Sequence, residues 1–184
     1  YYASVTFMDE QLGRVLDELE RLGLRETTAV IFTTDHGYHL GEHGFWQKMN
    51  LHEEVVRVPL IFSIPGMKPG RTDSLVELVD FYPTCVDVLG LPTPATLQGK
   101  SLLPILSNPN ASVRETALSI DQRGPGGGLR AEDWHYLNYG PQGEELYDMK
   151  KDPNQYTNLT NDPAYAGLLD QARTMFKERM AAAK

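Results

Sequence analysis

The stretch that decides the fold reads Thr27-Thr28-Ala29-Val30-Ile31-Phe32-Thr33-Thr34-Asp35-His36-Gly37. Its first eight residues are β-rich and apolar on both faces, which predicts a central parallel strand of an α/β layer. Asp35 and His36 fall where that strand ends, and ligands of open α/β sheets bind outside the carboxyl ends of strands. Gly37 lets the backbone turn sharply away. A carboxylate and an imidazole leaving a strand together make half of a metal site. The same residues also fit a turn with a helix-capping Asp, and the dipeptide alone leaves both readings open.

Upstream, Val5, Met8, Leu12, Val15, Leu16, Leu19 and Leu22 recur at helical spacing and Gly23 follows as a stop. A helix feeding such a strand is expected of a βαβ layer. Downstream, a loop of roughly twenty residues, from Asp35 to about Glu54, holds Gly37, Gly41 and Gly44 and four of the five histidines. Loops this long inside compact domains are usually functional. Pro59 to Ile64 reads as a second buried strand closed by Pro65-Gly66, Leu75 to Val79 as a short strand, and Phe81 to Leu89 as an amphipathic helix ending at Gly90.

Prolines punctuate residues 92–109, and a subdomain boundary is placed there: 1–109 as part of a main α/β domain, 110–184 as a C-terminal subdomain. Beyond the boundary Ala117 to Ile120, Trp134 to Tyr139 and Glu145 to Tyr147 alternate like antiparallel strands with one wet face. Gly124 to Gly128 read as a hairpin tip. Leu168, Leu169, Ala172, Met175, Phe176 and Met180 fall at helical spacing, giving a small antiparallel sheet plus a terminal helix.

The 184 residues suit one domain, or one plus an appendage, and can bury a sizeable core. Seventeen Lys and Arg against 25 Asp and Glu give a net charge of -8, which argues against a general nucleic-acid or anionic-membrane binder. One cysteine excludes an internal disulfide framework and a Cys-rich zinc module. Cys85, on the predicted Phe81 to Leu89 helix, reads as a small core residue. No apolar run approaches the ~20 residues of a membrane span. The opening Tyr1-Tyr2-Ala3-Ser4 runs straight into a helical pattern and is read as a cut through a larger protein.

Two readings stand for each remaining loop residue. His39, His43 and His52 are either structural or in contact with a substrate. Lys48, after Trp46-Gln47, is either a solvated lysine or a point charge for an anionic ester oxygen beside a metal. Arg57 reads as a structural partner of Glu53 or Glu54.

Thr34-Asp35-His36-Gly37, with Gly41-Glu42-His43-Gly44-x-Trp46-x-Lys48 and Arg57-Val58-Pro59-Leu60, resembles the type I sulfatases of the alkaline phosphatase superfamily. His36 directly after Asp35 makes it most similar to the iduronate-2-sulfatase branch. Tyr2 to Gly13, Asp80-Phe81-Tyr82-Pro83-Thr84, Gly99-Lys100-Ser101-Leu102 and Glu145-Leu146-Tyr147-Asp148 with Asp152-Pro153 resemble further landmarks in the family's order. The resemblance implies the C-terminal half of a sulfatase-like α/β sheet with flanking helices. It implies that Asp35 and His36 ligate a divalent cation, calcium in this family, and that Lys48 contacts the sulfate. His43 is a candidate substrate contact. Chemistry alone points an imidazole ligand toward zinc or manganese, and calcium prefers oxygen donors.

The family's nucleophile is a formylglycine made from Cys or Ser in a Cys/Ser-x-Pro-x-Arg motif, accompanied by an Asp-Asp pair, and neither motif occurs here. The expectation is a fragment of a sulfuric ester hydrolase acting on a sulfated sugar or glycosaminoglycan, inactive alone and completed by an N-terminal sulfatase segment. The alternatives are a phosphatase or phosphonate hydrolase of the same superfamily, or a non-catalytic module binding sulfated glycans. By resemblance the location is periplasmic or secreted in bacteria, lysosomal in animals.

Overall fold

The computed structural model describes residues 1–121 and 126–183. The chain forms two compact units, residues 1–33 with 59–68, and residues 34–58 with 69–184.

In the first unit the apolar spacing forms helix α1 (Tyr2–Arg21). It stops as expected at Gly23, whose φ of 68° is easy only for glycine. There the Gly23 and Leu24 amides donate to the carbonyls of Glu20 and Leu19. Strand β1 (Val30–Thr33) pairs with strand β2 (Leu60–Ser63), Val30 opposite Ser63 and Thr33 opposite Leu60. The pairing is antiparallel, which corrects the parallel expectation. A two-sided apolar pattern reports burial of faces and carries no information on the direction of the neighbour. The Arg25 guanidinium donates to the Ser63 hydroxyl at 2.7 Å.

The second unit holds short helix α2 (Glu53–Val56), helices α3 (Phe81–Val88) and α4 (Leu103–Ser107), strands β3 (Thr116–Ile120), β4 (Gly127–Ala131), β5 (Trp134–Asn138) and β6 (Glu144–Asp148), and the terminal helix α5 (Ala166–Ala182). The four strands lie in sequence order, all antiparallel. This is the small sheet and terminal helix expected from the alternation. One face of β5 presents Trp134 and Tyr136 to Leu169, Ala172 and Phe176 of α5, with Leu129 and Leu146 in the same cluster. Burying a large apolar side chain is worth about 1.5–3 kcal/mol, so this cluster anchors the unit.

The expected wet face is absent from β5. On its other side Leu137 packs with Leu51, Tyr147 and Met149. Leu51 comes from the long loop after β1, so that loop supplies the second cover of the sheet. The hairpin tip expected at Gly124 to Gly128 is also revised. Gly124 and Pro125 lie outside the described residues, and Gly127 and Gly128 stand within β4. A Cβ on Gly127 would come within 2.7 Å of the Ser119 carbonyl and 3.0 Å of the Phe176 ring, so glycine here marks close packing.

Leu75 to Val79 forms no strand. The chain instead enters a 3₁₀ turn at Leu78–Asp80. Asp80, fully buried, accepts from the backbone amides of Glu77 and Lys100, both at 2.8 Å, and from Arg114 at 2.5 Å. Glu77 in turn pairs with Arg114 at 2.9 Å and with Arg179 of α5 at 2.5 Å, and accepts from the Leu118 amide of β3. This network sets a polar requirement that local alternation does not reveal. Cys85 is half-buried on α3. Among the described residues no helix is long and apolar enough to cross a membrane.

Candidate functional site

The loop after β1 folds back on itself. Gly41, His43 and Gly44 all take positive φ, 125°, 54° and 74°, and reverse the chain. The Gly41 amide then donates to the Phe45 carbonyl and the His39 amide to the Gln47 carbonyl, both at 2.9 Å. The Tyr38 hydroxyl donates to the Trp46 carbonyl. These bonds bring Lys48 back to His36.

There Lys48 Nζ stands 2.5 Å from His36 Nε2, and His36 Nε2 stands 3.5 Å from Asp35 Oδ2. His36 Nδ1 lies 2.8 Å from the Gly37 carbonyl. A carbonyl only accepts, so Nδ1 carries a proton toward it and Nε2 is left facing Asp35 and Lys48. The Thr34 hydroxyl donates to Asp35 Oδ1 at 3.3 Å. Loss of solvent pushes the Asp35 carboxyl up, but His36, the backbone amides of residues 35 and 36 and the Thr34 hydroxyl outweigh it and hold the group below its ordinary range.

The base of the loop is fixed by Gly37. Its amide donates to the Val55 carbonyl at 2.8 Å, and a Cβ there would sit 1.9 Å from the Glu54 carbonyl oxygen. Glycine is needed for this approach of two backbones, and its φ is not positive. The partner segment is held from the sheet side. The Glu53 amide donates to Gln155 Oε1 at 2.7 Å, Arg130 of β4 pairs with the Glu53 carboxylate at 2.9 Å, and Gln155 Nε2 donates to His135 of β5. Glu53 therefore pairs with Arg130, and Glu54 lies 3.7 Å from His43. Neither holds Arg57, which is exposed, contrary to expectation.

Asp35, His36 and Lys48 thus come together; the strand end points to the first two, and only the resemblance adds Lys48. Two donors at right angles about 2.4 Å from one hard cation stand about 3.4 Å apart, so the 3.5 Å separation of Asp35 Oδ2 and His36 Nε2 fits two cis ligands. No group of three or more His, Cys, Asp or Glu able to hold a metal occurs among the described residues. This chain therefore offers a pair of donors and leaves the rest of any coordination shell to other groups.

His43 has other neighbours. Its ring stacks on His52 at 4.2 Å with a 7° tilt and lies 4.9 Å from the Tyr156 ring. Burial and the neighbouring His52 lower its tendency to protonate. His39, fully buried, meets Asn50 Oδ1 through Nε2 at 2.9 Å and contacts His43, His52 and Phe45 edge-on. The three histidines form a packed cluster beneath the loop.

Sequence reasoning missed a cleft of about 650 Å³ in the same unit. Phe45, Gln47, Asn50 and His52 line it from the loop, and Tyr139 and Glu145 from the sheet. Tyr139 and Glu145 stand out in the sequence as strand residues, Glu145 also within a family landmark, and neither carries a local signal of a cleft.

Residues 41–182 match the family model described as N-sulphoglucosamine sulphohydrolase, C-terminal, and the chain belongs to that family, a C-terminal sulfatase domain within the alkaline phosphatase superfamily. It is 34% identical over 199 residues to an N-acetylglucosamine-6-O-sulfatase of Bacteroides thetaiotaomicron, covering 97% of this chain and 36% of that protein. It is 33% identical over 189 residues to a choline-sulfatase of Rhizobium meliloti, covering 99% and 36%. The chain spans about a third of the length of these curated relatives. Among solved structures it superposes with a TM-score of 0.89 and 31% identity on a protein in complex with its substrate D-glucosamine-2-N,6-O-disulfate, covering 99% of this chain and 40% of that one. It superposes on a phosphonate monoester hydrolase from Silicibacter pomeroyi with a TM-score of 0.81 and 29% identity, covering 95% and 40%. The fold is that of the sulfatase C-terminal domain, with its small antiparallel sheet and terminal helix.

Proposed function

We propose that the protein to which this chain belongs is a sulfuric ester hydrolase acting on a sulfated sugar, and that Asp35, His36 and Lys48 are this chain's share of its active centre. The observation that carries the reading is the meeting of the three side chains, Asp35 Oδ2 and Lys48 Nζ lying 3.5 Å and 2.5 Å from the same His36 nitrogen. When bound, a divalent cation, calcium by resemblance, polarises the sulfate, and a formylglycine contributed outside these 184 residues supplies the nucleophile. Asp35 and His36 would hold that cation, with His36 oriented by its Nδ1–H to the Gly37 carbonyl. Lys48 places a positive charge where negative charge develops on the ester oxygens, an interaction stronger in the transition state than in the ground state.

The sugar is supported by the N-acetylglucosamine-6-O-sulfatase relative and by the glucosamine disulfate complex. The narrower iduronate-2-sulfatase reading rests on His36 following Asp35. A second reading, phosphonate or phosphate ester hydrolysis, is favoured by the likeness to the phosphonate monoester hydrolase. The test is turnover by the intact protein of sulfate esters of N-acetylglucosamine against an aryl phosphonate monoester. Faster sulfate release supports the first reading. Preferential phosphonate cleavage replaces it with the second, and no turnover of either by metal-loaded, formylglycine-bearing protein refutes both.

A further inference from the structure

Gln155 takes a positive φ of 59° and is 1% exposed. A residue with a Cβ adopts that conformation at a cost, and such positions persist where the surroundings hold them. What holds this one is the turn that follows β6. The Asp152 amide donates to the Asp148 carbonyl at 2.8 Å, the Gln155 amide to the Asp152 carbonyl at 3.1 Å and the Thr157 amide to the Asp152 carboxylate at 2.7 Å. Beyond the turn the Leu159 amide returns to the Leu146 carbonyl of β6. The Asp152-Pro153 landmark thus builds a braced turn that presents one buried side chain.

Both ends of that side chain are used. A backbone N–H only donates, so the Glu53 amide at 2.7 Å fixes Oε1 on its side and leaves Nε2 to donate to His135 Nδ1 at 3.0 Å. The Glu53 amide opens α2 and has no acceptor inside that helix, and Gln155 supplies one from 102 residues away. His135 is 1% exposed on β5, so the Gln155 amide is held between the sheet and the segment Glu53 to Val55.

The same three residues carry Gly37. The Val55 carbonyl accepts from the Gly37 amide at 2.8 Å, and the Glu54 carbonyl leaves no room for a Cβ there. The Gly37 carbonyl in turn accepts from His36 Nδ1 at 2.8 Å. A line of contacts therefore runs from His135 through Gln155, Glu53 to Val55 and Gly37 to the His36 ring, all within the second unit. Groups that orient a metal-ligating histidine tune the affinity of its site.

We propose that Gln155 is a positioning residue for His36: by fixing Glu53 it sets where Val55 holds Gly37, and so where His36 Nε2 faces Asp35. The inference rests on the reading of Asp35 and His36 as cation ligands and deepens it.

The test is calcium binding, read by calorimetry on the intact protein with calcium chloride as the only titrant, so that no turnover enters. Gln155→Gly removes the amide and relaxes the backbone at positive φ. It is expected to weaken calcium binding about tenfold, the lower end of the loss when a partner of a metal-ligating histidine is removed. Gln155→Glu keeps an oxygen at the same reach for the Glu53 amide and is expected to recover most of the affinity. Arg114→Ala, outside this line, is expected to lower Tm and leave calcium affinity unchanged, which separates positioning from a general loss of stability. Linkage is reciprocal, so in the wild type calcium is expected to slow hydrogen exchange of the Glu53 and Gly37 amides more than that of the Leu118 amide.

Wild-type calcium affinity in folded Gln155→Gly overturns the proposal. So does an equal loss in Arg114→Ala, failure of folded Gln155→Glu to recover affinity, or, should no Gln155 variant fold, equal slowing of exchange at all three amides in the wild type. These results leave the sulfatase reading standing. Wild type that binds no calcium overturns the inference together with the ligand assignment. Preferential phosphonate cleavage by the wild type removes the sulfatase reading and leaves the calcium shifts intact.

Discussion

Lys48 Nζ lies 2.5 Å from His36 Nε2 although twelve residues separate them in the chain. The approach is made by the reversal at Gly41 to Gly44 and locked by the His39 to Gln47 backbone bond. One ring nitrogen therefore faces both a carboxylate and an ammonium, the charge pattern needed to hold a cation and an anion side by side.

Lys48→Ala in the intact protein is expected to lower kcat by about 10²–10³ with a small change in KM, the usual loss for one preorganised charge-stabilising group. Steady-state kinetics with a sulfate ester measures it. Near-normal turnover reduces Lys48 to a solvated lysine.

Asp35→Ala is expected to weaken divalent cation binding and to recover part of its activity at high calcium, because one of the two donors from this chain is lost. Activity titrated against calcium checks it. Loss of activity with unchanged calcium dependence removes Asp35 from the ligand set.

Gly37→Ala is expected to destabilise the loop by at least about 1–3 kcal/mol, the scale of an overpacked site. Its Cβ would stand 1.9 Å from the Glu54 carbonyl oxygen and push the loop off its partner segment. Urea unfolding of wild type and variant decides it, and equal midpoints sink the idea.

Arg114→Ala leaves Asp80 buried without its guanidinium partner. Removing one member of a buried pair costs about 3–5 kcal/mol. A fall in Tm of several degrees is expected, with far-UV circular dichroism retained below the transition. An unchanged Tm shows that the amide donors from Glu77 and Lys100 suffice for Asp80.

His135 gives a pH dependence of stability. Burial, Arg130 and His52 lower its pKa from 6.5 in the unfolded chain to about 3 in the fold. The unfolded state then binds more protons than the folded state between those values, so the contribution is complete above 6.5 and is lost as pH falls toward about 3. Urea midpoints from pH 7.5 to 4.5 should fall with a slope that His135→Gln reduces by up to one proton. An identical slope in a folded variant contradicts the assignment.

Much of the local structure was legible in the residues. The apolar spacing of Val5 to Leu22 and of Leu168 to Met180 is a 3.6-residue period, and it formed α1 and α5. Gly23 and Gly90 ended helices because they take positive φ, 68° and 63°. The ordered landmarks around Asp35-His36-Gly37 and Trp46-x-Lys48 carried the family, and the structure brought Asp35, His36 and Lys48 together. The strand pattern also carried β3, β5 and β6, because period-two alternation is a local property.

What the tertiary structure decided depends on partners far away in sequence. The antiparallel direction of β1 and β2 is absent from a run that is apolar on both faces. The need for glycine at position 37 comes from Glu54, seventeen residues on. The Glu53 amide finds its acceptor in Gln155, 102 residues away, and Leu51 covers Leu137 on the face of β5 that alternation assigned to solvent. The cleft gathers Gln47, Tyr139 and Glu145 from separate elements. Periodicity and motifs fix which faces are apolar and which groups are reactive. Only the packed chain fixes which of those faces and groups meet, because long-range contacts leave no local period to read.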